Sequence, residues 1–210
     1  MAREDPLQIQ ADQREWRPQR VWVGRGTPEI VNPIAEPYWK GIRVLAFYRD
    51  SVREDEWGTV EATDEFGEGV SETAMRALDQ LRRSVLASEA VIDGILTDPA
   101  IDPAMSIEFA AAHGRPRTDD LAFVALDLLR LDDQQLFDVP LLERKRLLDG
   151  LIQQSVLVRI SPWVRPPIYP WFNTWRGAGF RGVVVKAANS RYVPGSRSME
   201  WAALERTPHI

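Results

Sequence analysis

A mixed α/β chain of the α+β kind, with antiparallel sheets flanked by helices, is the fold class this sequence predicts. Two observations carry it. Stretches rich in β-branched and aromatic residues, such as 42–49 and 121–129, interleave with stretches whose apolar residues recur at helical spacing, such as 71–86. Several strand neighbours are joined by short polar segments, as hairpins require, rather than by crossover helices. The 210 residues, 44% apolar and 27% charged, suit one domain that buries its own core.

Residues 1–20 are polar and aperiodic and predict a flexible arm ahead of a single domain, 21–210. Residues 21–37 hold the turn formers Gly24, Gly26, Pro28 and Pro33. Residues 42–49 predict a strand, paired as a hairpin with 57–63 across the acidic stretch 50–56. Ala74, Leu78, Leu81 and Val85 mark a helix over 71–86, with Ser71 as its N-cap. Residues 89–96 and 121–129 predict strands, the second apolar on both faces and so central in its sheet. Pro140 opens a helix to 154, where Leu141, Leu148 and Ile152 share a face with Leu147 and Leu151. A strand over 156–160, a helix over 167–177 and strands over 182–187 and 199–205 complete the order.

Composition removes several chemistries. Cysteine is absent, which excludes disulfides, thiolate nucleophiles and cysteine-ligated metals. The two histidines, His113 and His209, are far apart and argue against a histidine metal site. No apolar run approaches a membrane span, and the polar start is unlike a signal peptide, so a cytoplasmic chain with no membrane partner is expected. Arginine outnumbers lysine 23 to 3, and the lysines are Lys40, Lys145 and Lys186.

The net charge is −5, split as −12 over residues 1–140 and +7 over 141–210. Residues 161–199 carry six basic side chains and no acidic one. Such a segment suits nucleotide phosphates, a nucleic-acid backbone or the acidic half of the chain itself. The literal G-x-G-x-x-G at Gly177, Gly179 and Gly182 follows a predicted helix and precedes a predicted strand, the reverse of a dinucleotide site, and reads as a turn. Trp163, Trp171 and Trp175 read as core rather than as a base-stacking platform. Lys145, within Glu143-Arg-Lys-Arg146, reads as a solvated charge on a helix surface.

Four ordered stretches, spanning roughly residues 28–206, carry a family resemblance. Glu36-Pro-Tyr-Trp-Lys-Gly-Ile-Arg43 is similar to E-P-K-x-D-G-x-R, and Val91-Ile-Asp-Gly-Ile-Leu96 to L-D-G-E-L. Leu126-Asp-Leu-Leu129 followed by Pro140-Leu-Leu-Glu-Arg-Lys-Arg-Leu-Leu148 resembles F-D-L-L followed by P-L-x-E-R-R-x-x-L. Gly182-Val-Val-Val-Lys186 and Ser190-Arg-Tyr-Val-Pro-Gly-Ser-Arg-Ser-Met-Glu-Trp201 resemble E-G-V-V-x-K and S-x-Y-x-P-G-x-R-S-x-x-W. Together they resemble the adenylation domain of ATP-dependent DNA ligases, a ligase-type nucleotidyltransferase (ATP-grasp-like) fold. The resemblance implies a lysine that attacks the α-phosphate of ATP, carboxylates that hold a divalent metal, and cations on the phosphates.

Departures fall on the chemistry. Tyr38 stands at the nucleophile position and Lys40 at that of the aspartate. Ile95 replaces the strand glutamate, Leu126 the adenine-stacking aromatic and Arg181 the glutamate before Gly182. Ala203 and Glu205 replace the two lysines after Trp201. Glycines, core positions and several cations are retained, among them Gly41, Arg43, Asp93, Asp127, Lys186, Arg197 and Trp201. The expectation is a degenerate homologue without a catalytic residue, in which Lys40 is the one substitute nucleophile. Arg43, Arg181, Lys186 and Arg197 are the expected nucleotide- or phosphate-binding residues. No metal and no cofactor are expected; ATP and magnesium enter only if Lys40 acts. The chain stops soon after Trp201 and is expected to lack the oligonucleotide-binding domain that follows in the family. DNA or another polyanion, or a ligase or repair protein, is the implied partner. The alternatives are a divergent active ligase using Lys40, and an interaction protein that reuses the fold.

Overall fold

A computed structural model describes residues 16–24, 28–51, 57–98 and 121–205. His113, His209 and residues 1–15 of the predicted arm lie outside that set. The first sheet has the order β1 (Arg20–Trp22), β10 (Arg197–Leu204), β9 (Val183–Ala187), β2 (Pro33–Pro37). The second runs β4 (Thr59–Asp64), β3 (Ile42–Arg49), β5 (Glu89–Thr97), β6 (Ala122–Leu131), β7 (Gln134–Gln135), with β8 (Val158–Ile160) also beside β6. β1–β10 and β6–β8 are parallel pairs and the rest are antiparallel. Helices α1 (Glu72–Asp79), α2 (Leu141–Leu151) and α3 (Tyr169–Gly177) complete the α+β architecture. Among the described residues no helix is long and apolar enough to cross a membrane.

The central strands of the second sheet, β3, β5 and β6, are buried on both faces. On β3, Val44, Ala46 and Tyr48 join a core with Leu78 of α1 and Leu148 of α2. Leu45 and Phe47 point the other way, with Leu129, onto Ile34, Tyr192 and Trp201 beneath the first sheet. Period-two alternation therefore puts one strand into two cores. A third cluster holds Trp39, Ile95 and Leu126, which border the candidate site.

Several boundaries move for identifiable reasons. α1 starts at its predicted cap, Ser71 Oγ accepting from Ala74 N at 3.3 Å, but ends at Asp79. A 3₁₀ turn, Leu81–Arg83, then redirects the chain so that Leu86 N reaches Leu151 O, at the end of α2. The expected turn region 21–37 contains β2, an edge strand whose terminal Pro33 and Pro37 suit a border met only by a single bridge from Ala35 to Val164.

Two expectations are corrected. Trp16–Arg20 is no loose arm: Trp16 is buried against Phe137, ring centroids 4.6 Å apart. Gln19 N donates to Tyr192 Oη at 2.8 Å, and Val193 N donates to Gln19 Oε1 at 2.6 Å. A buried indole, one buried hydrogen bond and one partly buried one outweigh the polar composition of this stretch. Of the three tryptophans expected in the core, only Trp175 is buried; Trp163 and Trp171 are exposed.

Candidate functional site

A cavity of about 300 Å³ opens between the sheets. Lys186 and Val184 of β9 and Glu36 and Pro37 of β2 form one wall, and Ile95 of β5 and Leu126 of β6 another. Residues 18–23, the segment around β1, close a third side. The lining holds five basic residues, Arg20, Arg43, Arg181, Lys186 and Arg197, against two acidic ones, Glu36 and Glu65. Glycines at 41 and 182 let backbone meet backbone at its edges. A Cβ at Gly41 would collide with the Leu96 carbonyl oxygen, and one at Gly182 with that of Leu204.

The buried charge begins with Glu36. Its Oε1 is 2.8 Å from Lys145 Nζ and 3.0 Å from Lys186 Nζ, and all three side chains are 3% exposed or less. Burial alone would raise the Glu36 carboxyl; the two ammoniums outweigh it and hold it below its ordinary value. Lys186 is pushed down, first by burial, with the second ammonium adding to the effect and Glu36 opposing it. Its Nζ also lies 4.3 Å from the centre of the Trp201 ring.

Lys145 is the residue that sequence reasoning misplaced. It belongs to the buried face of α2, not to a solvated charge run. The signal was in the spacing. Lys145 follows Leu141 by four residues and precedes Leu148 by three, so it shares their stripe. Arg144 lies on the same stripe, fully buried, and grips Asp127 with Nε at 2.9 Å and Nη2 at 2.8 Å. Arg144, Lys145 and Lys186 of the basic C-terminal part are thus neutralised by carboxylates of the acidic part.

A second buried carboxylate, Asp93 beneath Arg43, is saturated. Asp93 accepts from Arg43 Nε at 2.5 Å and Nη2 at 2.7 Å, and from Tyr192 Oη at 2.7 Å. Burial would lower the Arg43 guanidinium, but the Asp93 carboxylate raises it above its usual range. Burial and then Asp93 push the Tyr192 phenol well up, so it stays a donor.

The expected site residues divide as follows. Tyr38, Arg43, Arg181, Lys186 and Arg197 all line the cavity. Lys40 does not; it is exposed, in the segment between β2 and β3. The alternation that should bring Lys40 to the side of Tyr38 fails because β2 ends at Pro37 and residues 38–40 are not strand. Arg181 lies over the Tyr38 ring at 4.5 Å and pairs with Glu205 at 2.7 Å. Arg20 and Arg197 are register neighbours on β1 and β10. Among the described residues neither has a carboxylate partner, and Arg20 donates to Gly195 O at 2.9 Å.

The described residues of the cavity differ from those the resemblance implies for a metal-bound triphosphate. Among the described residues no group of three or more acidic or histidine side chains could hold a metal ion. The positions expected to supply metal carboxylates are Ile95 and Arg181; Glu36, Asp93 and Asp127 are held by cations, and Glu65, which also lines the cavity, is exposed. Leu126 lines the cavity where the resemblance implies an aromatic ring.

A two-sheet domain with this cavity is the nucleotidyltransferase fold of the ligases. The family model for the ATP dependent DNA ligase domain matches residues 32–204, and the chain belongs to that family. It is 28% identical over 190 residues to DNA ligase C2 of Mycolicibacterium smegmatis, covering 82% of this chain and 49% of that protein. It is also 28% identical over 171 residues to the multifunctional non-homologous end joining DNA repair protein LigD of Mycobacterium tuberculosis, covering 79% of this chain and 20% of that protein. The ligase domain of M. tuberculosis LigD superimposes with a TM-score of 0.66 at 23% identity, over 89% of this chain and 58% of that one. Chlorella virus DNA ligase-adenylate gives 0.53 at 14% identity, over 90% and 68%. The chain spans half or less of the length of these curated relatives.

Proposed function

We propose that this chain is a DNA ligase-like adenylation-domain homologue that forms no lysyl-AMP and works in DNA repair as a binding module. Its cleft takes DNA or another phosphate-bearing partner, alone or beside a ligase or repair protein. One observation carries the reading: no lysine of the chain offers a free amine in the cavity. Lys40 is outside it, while Lys145 and Lys186 are both bound to Glu36. Burial beside a second ammonium favours deprotonation of Lys186. Its Nζ is nevertheless engaged by Glu36 Oε1 at 3.0 Å, and a misplacement of about 1 Å costs in-line attack about a hundredfold. Tyr38, at the nucleophile position, lies under Arg181 instead.

The binding half of the proposal rests on Arg20 and Arg197. Like charges side by side on adjacent strands are unfavourable without a counter-ion. A phosphate at the cavity mouth supplies one.

The test is intact mass after incubation with ATP and magnesium or manganese, beside an active ligase. No AMP-sized gain is expected. A gain that Lys40→Ala abolishes would overturn the reading in favour of an active, relocated nucleophile. Salt-titrated DNA binding by anisotropy tests the second half, and absent or salt-insensitive binding counts against it.

A further inference from the structure

β4 is the outer strand of the second sheet. It pairs with β3 and, among the described residues, with no other strand. The ladder fixes which of its backbone groups are left over. In an antiparallel pair, successive residues turn their N–H and C=O groups alternately toward the partner strand and away from it. Asp64 N donates to Glu68 O at 2.8 Å, away from β3. Ala62 and Val60, in phase with Asp64, therefore also turn their backbone groups outward, and Thr59, Glu61 and Thr63 turn theirs toward β3. The other side of β3 agrees. Asp50, just after β3, donates from its N to Ser88 O at 2.7 Å. Residues of β3 in phase with it face β5, and the alternate ones, partners of Thr59, Glu61 and Thr63, face β4.

The far half of this edge is closed by a bridge between Thr63 and Gly69, made by the turn that follows the strand. The near half is open. Val60 is only 8% exposed, yet among the described residues no backbone hydrogen bond reaches its outward groups. Buried backbone donors and acceptors are nearly always paired, so Val60 is set to receive one more strand.

A groove of about 340 Å³ lies at the same place. Thr59 and Val60 of β4 form one wall, and Met75 and Leu78 of α1 the other. Its charges balance, Glu72 and Asp79 against Arg76 and Arg82, whereas the cleft holds five cations against two acids. A polyanion gains nothing from a balanced lining. An extended polypeptide supplies both the backbone groups that Val60 can pair with and an apolar side chain to lie against Val60, Met75 and Leu78.

We propose that the open edge of β4 binds an extended peptide segment of a partner protein, which adds as a strand beside Val60 and sets an apolar side chain in the groove against α1. This goes beyond the cleft reading and shares no residue with it, so either can fail alone.

The probes are synthetic peptides selected from a phage-displayed library of short random sequences on the full chain. They are expected to bind in an anisotropy titration. They should slow hydrogen exchange at the Val60 and Ala62 amides and leave Glu61 and Thr63, already bonded to β3, unchanged. Val60→Pro removes an outward N–H and no bond to β3, and should weaken the peptide about tenfold, as loss of one backbone hydrogen bond does. Val60→Ile keeps that N–H and should bind as the wild type does. Met75→Arg sets a charge in the groove and should weaken binding without touching the strand. Thermal melts verify that each variant is folded. A library that yields no peptide slowing Val60, or unchanged affinity in folded Val60→Pro or Met75→Arg, would overturn the proposal. So would a Val60 amide as protected in the free chain as that of Glu61, because the edge would then already be paired. Protection of Val60 that rises with protein concentration alone would overturn it in favour of pairing between two copies of this chain.

Discussion

Arg181 and Glu205 form an ion pair of 2.7 Å whose polarity is the reverse of what the family resemblance implies at these positions. Each substitution alone reads as a loss. Together they keep a contact between the segment before β9 and the end of β10, and place the guanidinium over Tyr38. Both side chains are more than 40% exposed, so the pair contributes at most about 1 kcal/mol. Arg181→Glu should lower the melting temperature slightly through repulsion with Glu205, and adding Glu205→Lys should restore it. A double-mutant cycle of thermal melts reads the coupling, and strict additivity would refute it.

Glu36 should be far more costly to change. Glu36→Gln leaves two buried ammoniums without a carboxylate, a loss of about 3–5 kcal/mol. The pH dependence has a definite sign. An acid lowered on folding adds stability above its unfolded pKa and loses it as pH falls through the folded one. The gap in urea midpoint between wild type and Glu36→Gln should be full at neutral pH and narrow below the ordinary value of 4.5. A gap that widens in acid would contradict the assignment.

Asp127 and Arg144 allow a comparison of breaking a pair with replacing it. Asp127→Ala strands a guanidinium that is fully buried, at about 3–5 kcal/mol. Asp127→Leu with Arg144→Met removes both charges and should cost clearly less than the single change. Urea denaturation of the three proteins decides it.

Ser190 tests the support of the cavity wall. Its Oγ accepts from Trp201 Nε1 at 2.8 Å and donates to Ala187 O at 2.8 Å. Ser190→Ala leaves the buried indole N–H unpaired and should cost about 1–3 kcal/mol, measured by the same denaturation. Fluorescence should also report a less ordered Trp201.

Arg20→Ala and Arg197→Ala should each weaken DNA binding and lower the salt slope by about one. Arg146→Ala serves as a control. Arg146 is exposed on α2 and paired with Glu143, away from the cavity. Equal effects of all three changes would mean a diffuse electrostatic response rather than a site.

The legibility of this chain in its sequence follows the range of the interactions. β3 was readable because β-branched and aromatic residues alternate through it, and α1 because Ser71 caps a regular stripe. β1 and β2 were not readable. They are short edge strands whose identity comes from β10 and β9, more than 140 residues away. Lys145 was misplaced because charge type was weighed above helical phase, although its spacing from Leu141 and Leu148 puts it inside. Arg20 was missed for a related reason: nothing local to residues 16–20 says that Tyr192 and Phe137 will receive them. Tyr38, Arg43, Arg181, Lys186 and Arg197 were assigned through the family pattern, and the fold brings them to one cavity. Their pairing partners were invisible to that pattern.

The hydrogen bond from Gln19 to Tyr192 spans 173 positions of the chain. One wall of the cavity is made near residue 20 and its neighbour near residue 197, joined by the parallel β1–β10 pair. Contacts so distant in sequence form late and slowly. A nascent chain on the ribosome can complete the hairpin β3–β4 long before it has any cavity at all. The pocket is thus complete only once a polypeptide translated to about residue 200 has paired β1 with β10.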